Sequence, residues 1–192
     1  MVICCIGDSL TLGYGDESGL GWPGNITAAL HKAGQDVTTY NLGIRKDTTQ
    51  FIQHRWQTEA TLRRLDGQPA KLVFNFGVAD IMNAIETEQS LAAALTILTK
   101  AKETGDVLLI GPTPVNDPQK TEEITLLSDL LAAMCKQIDI PYIPTVDAMQ
   151  QSSVYRQSLI DGDTVHPTAS GYAELAAHIL QNETARTFFG LE

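Results

Sequence analysis

The sequence predicts an α/β fold in which a parallel sheet is covered by helices on both faces. Three observations carry this. Five short, mostly apolar runs recur along the chain, segments with helical spacing of apolar residues lie between them, and Gly-containing turns end several of the runs. In such folds ligands collect at the carboxyl ends of the strands, so the polar residues found there are the ones to examine.

Residues 2–6 read as a buried strand ended by Gly7-Asp8. Ile26, Ala29, Leu30 and Ala33 follow helical spacing, with Gly34 as the stop. Residues 37–42 form a second strand. Residues 48–65 read as a helix with Phe51, Ile52, Arg55, Trp56 and Leu62 on or near one face. Residues 72–76 are the third strand, and Leu91, Leu95, Leu98 and Ala101 mark the next helix. Residues 107–110 form a continuous apolar strand ended by Gly111-Pro112. Ile124, Leu127, Leu131, Met134 and Ile138 define the longest amphipathic helix, with Glu122 and Glu123 placed in its first turn to suit the helix dipole. Residues 142–143 are a short fifth strand, and Tyr172, Leu175, Ala176 and Ile179 belong to a closing helix. No repeat or linker interrupts this pattern, so the 192 residues read as one domain spanning 1–192. The loops over 11–22, 78–88 and 112–120 shape any pocket, and Trp22 is expected to pack in the core.

Charge excludes some partners. Thirteen Lys and Arg against 23 Asp and Glu leave a net charge of −10, the wrong sign for phosphate-rich nucleic acid or an anionic membrane surface. Arg45-Lys46 is one candidate for a local basic patch. No window approaches the ~20 apolar residues of a membrane span. The residues after Met1 show neither a basic lead nor an apolar stretch of signal length. Cys4, Cys5 and Cys135 are odd in number, and neighbours on one strand point to opposite faces. Together these features predict reduced thiols in a cytoplasmic protein without stable membrane insertion. A homo-oligomer is compatible with the composition.

Two local clusters carry chemistry. Gly7-Asp8-Ser9-Leu10 follows the first strand directly. A serine hydroxyl becomes a nucleophile when held exposed and hydrogen-bonded to a base, and Gly7 lets the chain turn sharply before it. If a helix starts here, the Ser9 backbone N–H is a free donor aimed at the same space. Asp8 or Ser9 acting only as a helix cap is the plainer alternative. Near the other end stands Asp161-Gly162-Asp163-Thr164-Val165-His166-Pro167. A general base needs one imidazole nitrogen toward the nucleophile and the other held by a carboxylate. Asp163 lies three residues before His166, a spacing one loop can present, and it is favoured over Asp161. Pro167 is expected at the first position of the following helix. His31, His54 and His178 sit within helical patterns. No spacing of His, Cys and Asp suggests a metal, and no cofactor is expected.

These pieces together resemble the SGNH/GDSL hydrolases. Gly7 to Leu10 matches that family's first block and Asp163 to Pro167 its last, followed by Gly171-Tyr172. Asn41-Leu42-Gly43 matches the glycine block after the second strand. The third block, Gly-x-Asn-Asp, is Gly77-Val78-Ala79-Asp80 here. The resemblance implies a flavodoxin-like three-layer α/β/α sandwich with a five-stranded parallel sheet. It also implies a small-molecule ester substrate and an acyl-serine mechanism with catalytic Ser9, Asp163 and His166. The family's oxyanion hole would be formed by the backbone N–H groups of Ser9 and Gly43, while Ala79 lacks the family's asparagine side-chain donor. One such donor is worth about 2.7–4 kcal/mol. Arg45 and Asn83 are the nearby candidates to replace it. The implied function is hydrolysis of a small acyl or carbohydrate ester. A lysophospholipase or thioesterase, or a non-catalytic binding protein, are the alternatives.

Overall fold

The computed structural model describes residues 1–63 and 68–191. Along them run β1 (Val2–Gly7), α1 (Ser9–Leu12), α2 (Gly21–Lys32), β2 (Thr38–Gly43), α3 (Thr49–Thr61), β3 (Lys71–Asn75), α4 (Val78–Met82) and α5 (Thr87–Lys102). There follow β4 (Val107–Ile110), α6 (Pro118–Gln137), β5 (Tyr142–Ile143), α7 (Val146–Gln151), α8 (Ser153–Asp161), α9 (Ala169–Gln181) and α10 (Glu183–Phe189).

The strands pair in parallel in the order β2-β1-β3-β4-β5. β1 and β4 are buried along their whole length, which explains why they read as unbroken apolar runs. β2 is an edge strand with mainly exposed side chains. α2 and α8 pack on α9, and α3 and α6 pack on α5, giving two separate helical layers around the sheet. One hydrophobic cluster runs from Val2 to Phe189 through Phe74, Ile97, Tyr155 and Leu175. Each large apolar side chain taken fully from water there contributes about 1.5–3 kcal/mol. Cys4, Cys5 and Cys135 are buried and free. Trp22 packs in the core at 1% exposure.

Several boundaries depart from the sequence expectation, each for a local reason. In α3 the buried face is Thr49, Ile52, Trp56 and Ala60, whereas Phe51 and Leu62 are 62% and 77% exposed. Arg55 does turn inward, for a polar purpose described below. The part of that expected helix at 64 and 65 lies outside the described residues. α6 starts earlier than expected. Asp117 caps it through the Lys120 N–H at 3.0 Å and Pro118 occupies its first turn, so Glu122 and Glu123 fall beyond the first turn. α9 is capped by Thr168, which leaves Pro167 before the cap rather than at the first helical position. The segments 78–88 and 144–161, expected as loops or left unassigned, hold α4, α7 and α8.

Candidate active site

β1 and β3 lie side by side at the centre of the sheet, and the chain leaves β1 on one side and β3 on the other. That is the switch point at which this topology opens a crevice. Ser9 stands there as the first residue of α1. The Asp8 carboxylate caps the helix, accepting the Leu10 N–H at 2.8 Å. Gly7 is required by close approach. A Cβ there would lie 2.1 Å from the Asn75 carbonyl and 2.2 Å from Thr11 Oγ1. Packing, rather than a special turn conformation, therefore selects that glycine.

The structure brings Ser9, His166 and Asp163 together. His166 Nε2 lies 2.7 Å from Ser9 Oγ, and Nδ1 lies 2.9 and 3.0 Å from the two oxygens of Asp163. Asp163 Oδ1 also accepts the backbone N–H groups of Val165 at 3.1 Å and His166 at 2.8 Å. This Asx-type turn bends the loop so that one residue orients another three positions on, and Thr164 takes a left-handed φ of 74° to allow it. The loop is tied down from outside by Thr164 N–H to Leu159 O and Asn116 N–H to Thr164 O. Partial burial pushes the Asp163 carboxyl up, but the His166 N–H, its ring and the Val165 N–H outweigh that and hold it below the usual carboxylate range. Asp161, the rival acid, instead accepts Gln157 Nε2 at 2.8 Å. His31 and His54 are exposed, and His178 Nε2 lies 2.8 Å from the Pro144 carbonyl.

Three of the expected oxyanion candidates, Gly43, Asn83 and Arg45, make contacts of their own. The Gly43 N–H donates to Asn41 Oδ1 at 3.0 Å. Ile44 N–H, one residue on, donates inward to Gly7 O, so the Gly43 N–H faces the open edge of the sheet. Gly43 is again a packing glycine, because a Cβ there would meet Leu12 N at 2.1 Å. Asn83 Nδ2 donates to Ala79 O at 2.6 Å, which turns the exposed amide back on its own helix. Arg45 lies with Cζ 3.6 Å from the centroid of the Tyr14 ring, and that ring meets the His166 ring edge-on at 4.8 Å. Ser9 N–H, at the start of its helix, has no intrahelical acceptor.

Beneath the nucleophile lies a buried acidic floor. Asp8 Oδ2 accepts the Ala79 N–H at 3.3 Å, and burial pushes the Asp8 carboxyl up to about 7. Asp80 accepts Thr49 N–H, Thr49 Oγ1 and Ser90 Oγ, with the hydroxyls at 2.8 and 2.9 Å, and burial raises it too. Asp8 and Asp80 are thus structural links between turns. Sequence reasoning missed Asn75, whose Nδ2 donates to Ile110 O and Gly111 O. It also missed Tyr14, and it gave Arg55 no role. Arg55 pairs with Asp47 at 2.6 Å and Glu59 at 2.9 Å, and donates to Leu42 O and Gly7 O. It thereby ties α3 to the ends of both strands beside Ser9. Among the described residues no cluster of three His, Cys, Asp or Glu has a metal-binding arrangement, and no helix is long and apolar enough to cross a membrane.

Comparison with known proteins gives a family and a fold. The model of the GDSL-like lipase/acylhydrolase family matches residues 5–174. No curated protein matches the chain. Among solved structures, Axe2, an acetylxylan esterase from Geobacillus stearothermophilus, superposes with a TM-score of 0.81 at 18% identity, covering 100% of this chain and 94% of its own. The lipase/acylhydrolase from Enterococcus faecalis gives 0.77 at 22% identity, covering 96% of each chain. A lipolytic G-D-S-L family protein from Veillonella parvula DSM 2008 gives 0.74 at 20% identity, covering 96% and 98%.

Proposed function

Since the chain belongs to the GDSL-like lipase/acylhydrolase family, we propose that it hydrolyses a small acyl or carbohydrate ester through an acyl-Ser9 intermediate. The observation that carries this reading is the single line of contacts from Asp163 through His166 to Ser9, with 2.9 Å at Nδ1 and 2.7 Å at Nε2. A carboxylate on Nδ1 leaves Nε2 as the lone-pair nitrogen facing the hydroxyl, the tautomer a general base needs.

In the proposed cycle, Ser9 Oγ attacks the ester carbonyl as its proton passes to His166 Nε2. The C–O bond to the alcohol then breaks, and the alcohol leaves with that proton. Water, deprotonated by the same nitrogen, attacks acyl-Ser9, and the carboxylic acid leaves as the proton returns to Ser9 Oγ. Asp163 stays ionised and stabilises the imidazolium. The oxyanion is held by the Ser9 N–H, and the lack of a side-chain donor at Ala79 slows turnover. The fold likeness to Axe2, an acetylxylan esterase, supports a carbohydrate acetate as the substrate type for this chain. The three buried, free thiols fit a reducing, cytoplasmic setting.

The test is a panel of chromogenic esters of increasing acyl length, run on the wild type and Ser9→Ala, with fluorophosphonate labelling of Ser9 in parallel. The expected result is labelling and short-acyl turnover in the wild type and neither in Ser9→Ala. A preference for long acyl chains or thioesters moves the reading to the lipid- or thioester-directed class. A folded wild type that is neither labelled nor active leaves a binding protein.

A further inference from the structure

We propose that Tyr14 is a positioning residue that holds His166 against Ser9, and that Arg45 in turn holds the Tyr14 ring. The inference rests on the roles of Ser9 and His166 given above. Those two residues are 157 positions apart, so no covalent neighbour sets their distance. The segment 13–17 bridges them. The Tyr14 N–H donates to the Ser9 carbonyl at 2.9 Å. The Tyr14 carbonyl accepts Tyr172 Oη–H at 2.7 Å, from the helix that follows the His166 loop. The Tyr14 ring meets the imidazole edge-on, with centroids 4.8 Å apart and planes at 82°. One further contact fastens the same segment: Glu17 Oε2 accepts the Ala169 N–H at 3.0 Å, at the start of α9. Gly15 lies so close to the His166 loop that a Cβ added there would be 3.2 Å from His166 Cβ.

The geometry explains why such a part is needed. Asp163 and Ser9 grip the imidazole only at its two nitrogens, in the ring plane. Rotation about the Cβ–Cγ bond swings Nε2 out of line with the Ser9 hydroxyl and loosens the grip on its proton. An aromatic ring packed across the imidazole resists that rotation. Tyr14 is itself fixed from the turn after β2. The Arg45 guanidinium stacks on it at 3.6 Å, and Arg45 makes no ion pair with a carboxylate among the described residues. A planar, delocalised cation suits that face better than an ammonium would.

Tyr14→Leu, Tyr14→Phe and Arg45→Ala test the proposal by kcat and KM on a chromogenic acetate and by the rate of Ser9 labelling with a fluorophosphonate, each per titrated active site. Tyr14→Leu is expected to lower kcat and the labelling rate about tenfold while KM moves less than about twofold, since misplacement acts on the chemical step. Tyr14→Phe restores both to within about threefold, because the ring makes the contact. Arg45→Ala, at an exposed site that does not threaten folding, lowers both about threefold. The proposal is overturned if Tyr14→Leu raises KM with kcat intact, if Leu and Phe act alike, or if Arg45→Ala leaves the labelling rate unchanged. Failure of the underlying reading shows separately, as a wild type in which Ser9 is never labelled and no ester is cleaved.

Discussion

Asp8 holds Ala79: one oxygen of its buried carboxyl accepts the Ala79 N–H at 3.3 Å while the other accepts Leu10 N–H at 2.8 Å. The nucleophile turn and the turn after β3 are therefore joined by one acid. Burial lifts that acid from 3.8 to about 7, against the pull of the Leu10, Ala79 and Thr11 N–H groups. The sign follows from linkage. A carboxyl with a raised pKa in the folded state binds its proton more tightly there than in the unfolded chain. Its contribution to stability is complete below about pH 4 and declines as pH rises through about 7. The full span corresponds to about 4 kcal/mol. Urea unfolding at pH 4.5 and pH 8 should show the wild type losing stability relative to Asp8→Asn across that window. Parallel curves for the two proteins would mean that Asp8 is ionised throughout.

Asp163 has the opposite sign and another role. Its carboxyl is held low, so it remains ionised down to below the usual carboxylate range. Asp163→Asn keeps an acceptor for the backbone N–H groups of Val165 and His166 but removes the charge facing the imidazolium. The expected loss is roughly a thousand- to ten-thousandfold in kcat with little change in melting temperature. The deficit should be present at every pH from 5 to 9, because the wild-type Asp163 stays ionised throughout that range. Stopped ester assays across the range check both statements.

Ala79 offers a gain rather than a loss. It follows Val78 at the start of α4, beside Asp8 and 7% exposed, and it has no side-chain donor. Ala79→Asn should add one, raising kcat on an acetyl ester about ten- to a hundredfold, somewhat below the full worth of a donor because the new side chain must find room. KM should hardly move, since the donor acts on charge that develops during reaction. A folded Ala79→Asn protein with unchanged kcat would show that the oxyanion forms elsewhere.

What could be read from sequence, and what could not, divides by range. β1, β3 and β4 were legible because strands buried on both faces need unbroken apolar runs. The Asp163-His166 pair was legible because one Asx turn forms it within four residues. Tyr14 was not, since its contacts reach His166, Tyr172 and Arg45, three distant segments. The hydrogen bond from the Gly43 N–H to Asn41 Oδ1 was not legible, because a sequence does not say which side of an edge strand an N–H faces. α7 and α8 escaped notice because each buries only two or three side chains, Val146 and Met149 in one, and Tyr155, Ser158 and Leu159 in the other, too few to establish a period. Phe51, expected on or near the face of Ile52 and Trp56, is turned outward because the helix phase those two residues set leaves it 62% exposed.

Arg55, on or near the face that carries Ile52 and Trp56, is a planar clamp. Its guanidinium reaches Asp47, Glu59, Leu42 O and Gly7 O at 2.6–2.9 Å. An ammonium cannot span these acceptors from one point. Arg55→Lys should cost about 2–3 kcal/mol in urea unfolding, as charged hydrogen bonds at a largely buried site are lost. A loss below 0.5 kcal/mol, the scale of an exposed pair, would mean that the clamp is replaced by water.

Gly15 and Gly19 form an internal control for the contact with His166. Both have positive φ, 90° and 72°, so an alanine at either is strained by about 1–3 kcal/mol. They differ in surroundings. A Cβ at Gly19 meets nothing within 4 Å, whereas at Gly15 it meets His166 Cβ at 3.2 Å and the Pro167 carbonyl at 3.3 Å. Backbone strain should therefore lower the melting temperature of both variants by similar amounts. Only Gly15→Ala should also push the imidazole away from Ser9, lowering kcat about tenfold or more. Melting curves and acetyl-ester kinetics on the two variants separate the effects. Equal kcat in both would place the His166 loop beyond the influence of segment 13–17, because the added methyl would then have been absorbed without moving the ring.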